Sequence, residues 1–120
     1  MQGSFIAEYN TPMNLTQEMI EENSRAMQIP THIYVKVATL AFMECLRDMD
    51  VLEKAVVDLD VKTIQFISHR MKGTLGNVRL DTYAGLAAQV NDAVKKGESI
   101  DNIRELFVQF KVAFETMKGK

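Results

Sequence analysis

The chain has 120 residues, of which 47% are hydrophobic and 25% charged, with a net charge of −2. That is the size and composition of one ordinary globular domain, which excludes wholesale disorder, and the near-neutral charge gives no electrostatic case for bulk nucleic-acid binding. No run approaches the ~18 apolar residues of a membrane span, the polar N-terminus lacks a signal peptide's pattern, and the single Cys45 reads as a small core residue. The expectation is a cytoplasmic, monomeric protein with a flexible segment over 1–13 and a single helical domain over 14–120.

No stretch alternates with a two-residue period between turn residues, so no strand is expected. Asn14 followed by Gln17 reads as a capping pair for a first short helix over about Leu15 to Met27. Its apolar content (Leu15, Met19, Ile20, Met27) is thin, so it should dock against a bundle rather than form its centre. Pro30-Thr31 opens a second helix reaching about Asp58, with a bend possible at Asp48-Met49-Asp50. Tyr34, Ala38, Ala41, Cys45, Met49, Leu52, Val56 and Leu59 recur there at three- and four-residue steps, widened by Val37 and Leu40.

Asp60 should cap a third helix, whose inner stripe is Ile64, Ile67, Met71, Leu75 and Val78. Asp81 should cap a fourth, with Tyr83, Leu86, Ala87, Val90 and Val94 inward and Lys95-Lys96-Gly97 at its end. Ser99 or Asp101 caps the last helix, which buries Ile103, Leu106, Phe107, Phe110, Phe114 and Met117. Amphipathic helices on short connections give an all-α fold: an antiparallel up-down four-helix bundle with an additional short N-terminal helix.

The third helix carries the unusual feature. At about 100° per residue, His69, Lys72, Gly73 and Gly76 fall on the side opposite its apolar stripe, flanked by Lys62, Gln65, Phe66 and Arg79. Each glycine costs a helix interior about 1 kcal/mol relative to alanine, so a surface that keeps two beside an exposed imidazole is a surface another molecule must approach closely.

His69-x-x-Lys72-Gly73, preceded by Asp60 and followed by Thr74-x-x-Asn77-Val78, resembles the histidine-containing phosphotransfer (HPt) domain. Ile29 to Tyr34 resembles the start of that family's long second helix, and Leu86 to Val90 with Lys96-Gly97-Glu98 resembles the helix after the motif and its turn. The resemblance runs from about Ile29 to the C-terminus. The chain departs from the family near Arg79, where a second glycine is usual; the nearby glycine here is Gly76.

The resemblance implies a stoichiometric phosphocarrier rather than a turnover enzyme, relaying a phosphoryl group between receiver-domain aspartates through His69. Lys72 would supply positive charge, Gly73 would clear space for the receiver's loops, and Gly76 would support the same strip. By position, Asn91 matches the polar residue that in such domains holds Nδ1 of the histidine. Phe66, Gln65, Arg70 and Arg79 would contact the partner, a response-regulator receiver domain or a hybrid histidine kinase. His32, in a first turn without lysine or glycine neighbours, reads as a surface residue.

No cofactor, ATP site, nucleic acid or membrane is expected. Two histidines and one cysteine far apart offer no metal-ligand spacing, and any Mg²⁺ would belong to the receiver. Two rival readings use the same fold: an adaptor that binds a receiver or kinase unphosphorylated, and the phosphorylatable domain of a longer histidine kinase.

Overall fold

The computed structural model describes residues 13–118. It holds five helices among the described residues: α1 (Gln17–Met27), α2 (Thr31–Asp58), α3 (Val61–Asn77), α4 (Asp81–Lys95) and α5 (Ile100–Glu115). Connections of two to four residues force successive helices to run antiparallel, and α5 returns to pack on α2, which closes the bundle. The 28-residue α2 would be about 42 Å long at helical rise. It accounts for the molecule's longest dimension, 44 Å, and continues unbroken through Asp48–Asp50.

The predicted stripes are the observed core. Tyr34, Ala38, Cys45, Leu52, Ile64, Met71, Leu75, Ala87, Val90 and Phe110 are completely or almost completely buried. Two residues assigned to the α2 stripe are outside it. Leu40 is 70% exposed, and Leu59, beyond the end of the helix, is 49% exposed. The first helix is secured more tightly than its thin apolar content implies. Asn23 Nδ2 donates to the Tyr34 hydroxyl at 3.0 Å, and that hydroxyl donates to the Val78 carbonyl at 2.7 Å, joining α1, α2 and the end of α3.

Helix starts show where local reading sufficed. Asp60 caps α3, accepting from the Thr63 amide and hydroxyl, and Ser99 rather than Asp101 caps α5, accepting from the Asn102 amide. Thr16, not Asn14, caps α1, accepting from the Met19 amide at 3.1 Å. Asn14 is drawn away because its own amide donates to the Met117 carbonyl at 2.6 Å. Met13 is wholly buried and bridges to Lys118, so it packs with the bundle. The rest of the segment expected to be flexible lies outside the described residues. Asp81 is the first residue of α4 and not its cap; Leu80 holds the cap position and is buried, because the tight α3–α4 turn folds it inward.

Three helices end in the left-handed conformation on a residue other than glycine: Gln28 (φ 58°), Leu59 (φ 58°) and Arg79 (φ 65°). At the end of α3, the Leu80 amide donates to the Leu75 carbonyl and the Arg79 amide to the Gly76 carbonyl, the paired bonds of a Schellman motif. Arg79 therefore occupies the backbone position that glycine ordinarily fills. The α4 end repeats the motif with Gly97 (φ 70°).

Candidate functional site

The α3–α4 pair presents a cleft of about 400 Å³ lined by Lys62, Gln65, Phe66, His69, Asn91 and Lys95. Helix periodicity assembles it. Positions 62, 65, 66 and 69 share one flank of α3, and Asn91 and Lys95, four residues apart, share one flank of α4. No carboxylate lines the cleft, and neither lysine has an ion-pair partner among the described residues. The surface is therefore electropositive although the whole chain is slightly acidic.

His69 is exposed at the edge of this cleft, and its ring makes no hydrogen bond within the described residues. Gly73 is exposed one turn further along, and a Cβ placed there would meet no atom within 4 Å. Nothing inside the fold requires that glycine. Lys72 and Gly76 are half-buried, so the strip leans toward α4. A Cβ at Gly76 would lie 3.9 Å from that of Ala84, an ordinary packing distance across the α3–α4 seam.

Beneath the histidine is a buried polar network. Asn91 is 2% exposed; its Nδ2 donates to the Gln65 carbonyl at 2.9 Å and to Ser68 Oγ at 3.3 Å. Ser68, wholly buried, donates in turn to the Ile64 carbonyl at 2.7 Å. A carbonyl can only accept, so the Gln65 contact fixes which end of the Asn91 amide is nitrogen. The expected bond between Asn91 and Nδ1 of His69 is not made in this conformation; the asparagine's nitrogen is engaged by the Gln65 carbonyl and Ser68, in the turn preceding the histidine. Its Oδ1 is buried without a donor.

Phe66 is 62% exposed, and the Arg70 guanidinium lies over its ring at 5.2 Å. Arg70 is itself held by a two-bond pair with Asp48 of α2, at 2.7 and 3.1 Å. Asp48 is 4% exposed, so a buried carboxylate fixes the arginine and the arginine braces the phenylalanine. Arg70 thus has a bond within the fold beyond the partner contact expected of it. Arg79 is not brought to the cleft: it lies at the far end of α3, beside Met19 and Asn23 of α1.

Sequence reasoning missed Asp48, Ser68 and the place of Lys95. Lys95 had a legible signal in its four-residue spacing from Asn91. Asp48 and Ser68 had none, since each is a polar residue that only its neighbours render burial-compatible.

The described bundle thus carries an exposed histidine, a lysine and an open glycine on one helix face. The sequence profile of the Hpt domain matches residues 36–118, and the chain belongs to that family. No curated protein and no solved structure matches the chain significantly. Membership carries a phosphotransfer role in two-component signalling. No helix among the described residues is long and apolar enough to cross a membrane.

Proposed function

We propose that this chain is a phosphocarrier in which Nε2 of His69 takes a phosphoryl group from a receiver-domain aspartate and returns it to another. The observation that supports this most directly is the unpaired, exposed imidazole beside Gly73, with open space where a side chain would otherwise block a docking protein. In the transfer, Nε2 attacks phosphorus, the bond from phosphorus to the aspartyl oxygen breaks, and the carboxylate leaves with the electron pair. Lys72, with Lys62 and Lys95 on the cleft walls, offsets the charge on the phosphoryl oxygens.

The ring gains positive charge as the N–P bond forms, and a proton held at Nδ1 keeps Nε2 in its nucleophilic form. The acceptor proposed for this Nδ1–H is Oδ1 of Asn91, which lines the same cleft as His69 and has no donor among the described residues. This matches a buried acceptor lacking a donor, which costs about 1–3 kcal/mol, to an imidazole lacking an acceptor. Phe66, braced by Arg70, is the apolar contact for the docking receiver, and Gln65 flanks it.

The test is incubation of the whole chain with a phosphorylated receiver. Label that is acid-labile and base-stable, lost in His69→Gln and retained in His32→Gln, is the expected result. Receiver binding without label would establish the adaptor reading instead.

A further inference from the structure

The outer face of α2 carries apolar residues that the bundle does not use. Leu40 is 70% exposed, Met43 41% and Val57 68%. With Lys36, Arg47, Asp50 and Lys54 they follow one another at alternating four- and three-residue steps, so the seven form one straight seam with the spacing of a coiled-coil stripe. All seven are exposed.

We propose that this seam is a self-complementary interface through which two copies of the chain pair, α2 against α2, antiparallel. The argument rests on charge and register. With a twofold axis between Asp48 and Met49, Leu40 of one copy faces Val57 of the other, Met43 faces the aliphatic stem of Lys54, and Arg47 faces Asp50. Symmetry makes each contact twice. A parallel pairing would set Arg47 on Arg47 and Asp50 on Asp50, so the charges select the antiparallel arrangement. Neither Arg47 nor Asp50 has an ion-pair partner among the described residues. In the same register Lys36 comes to the C-terminal end of the other copy's α2, where the helix dipole favours a cation and exposed Asp58, paired with Lys54 at 3.1 Å, adds negative charge that a second cation can share.

The surface beside Val57 fits the same occupant. A groove of about 280 Å³ runs between α2 and α5, lined by Val56, Val57, Phe107 and Val108 with Glu53 and Arg104 at its sides. Leu40 of the second copy arrives at its rim. None of the seam residues lines the α3–α4 cleft, so both copies keep His69 open. This inference stands apart from the phosphotransfer reading, and neither depends on the other.

Sedimentation equilibrium of the whole chain, from micromolar to millimolar concentration, tests it. The weight-average mass should rise from 13.6 kDa toward twice that value. Arg47→Glu and Asp50→Arg, each at an exposed position, should keep their helical circular dichroism and weaken association by about tenfold or more. Mixing the two variants, or combining them in one chain, should restore it, because every facing pair is again opposite in charge. A wild-type chain that stays at 13.6 kDa throughout overturns the proposal. So does association that the single variants leave untouched, which would mean that a different face pairs.

Discussion

The α2–α5 side and the α3–α4 side of this bundle are held by different materials. Between α2 and α5 the contact is aromatic: Phe42 stacks on Phe114 at 5.3 Å between ring centroids, and within α5 Phe110 meets Phe114 edge-on at 6.1 Å. Lys111 and Glu53 add an ion pair at the rim, at 2.8 Å. Between α3 and α4 the seam is made of small residues, Gly76 against Ala84, with the Asn91–Ser68–Gln65 network beneath the histidine. Aromatic contact buries much apolar area and adds a preferred ring geometry, so it contributes mainly to stability. Polar contact is weaker in net terms but depends on direction, and here it lies directly beneath His69. Among the described residues the α2–α5 side thus has no counterpart to the buried polar network of the α3–α4 side, where apolar burial by Leu75 and Val90 accompanies it.

The largest expected effect breaks the aromatic side alone. Phe114→Ala removes a ring 1% exposed and should cost about 3–5 kcal/mol in chemical denaturation, with no change in the His69 tautomer measured by nitrogen NMR at temperatures where the variant is folded. Asn91→Ala should do the reverse. It should cost less, about 1–3 kcal/mol, by stripping Ser68 and the Gln65 carbonyl of a donor, yet change the tautomer balance of His69 and slow phosphoryl uptake. Equal tautomer signals in the two variants would remove Asn91 from the site.

Tyr34 ties both sides together, and its contribution has a pH signature. Burial pushes its phenol above the ordinary tyrosine value, so the folded state favours the protonated form. The stabilisation is complete below the unfolded pKa and declines as pH rises from there through the folded value. Tyr34→Phe should therefore be destabilised by about 1 kcal/mol near neutrality and should lose part of the alkaline decline seen in wild type.

Arg79→Gly should raise stability by about 1 kcal/mol, since glycine adopts φ 65° without a side-chain clash. If His69 is the carrier, transfer should be unaffected, because Arg79 lies by α1. The smallest stability change is expected for Lys72→Ala, within about 0.5 kcal/mol, alongside a clear loss of transfer rate. A Lys72 variant that transfers normally would assign the charge offset to Lys62 and Lys95.

Much of this was legible in the chain. The helices, their inner stripes, the caps at Asp60 and Ser99, and the outward placement of His69 and Gly73 all follow from side-chain spacing and from local hydrogen bonding within a few residues. These are properties of one helix, and a helix's period is determined by its own backbone. Asn14 and Asp81 mark where that reasoning ended. Each has the chemistry of a cap, but the closure of the N-terminal segment on α5 and the tightness of the α3–α4 turn assigned the role elsewhere.

Pairwise facts were decided only by the tertiary structure. Asp48, marked in the sequence only as a place for a bend, is buried because α3 brings Arg70 to it. Ser68 is satisfied within α3 and meets Asn91 from α4, while the Gln65 carbonyl fixes which atom of Asn91 remains without a partner. The physical reason is that burying a polar group is unfavourable unless a partner meets it. The partners here are 22 to 26 residues away along the chain, so no local pattern records them.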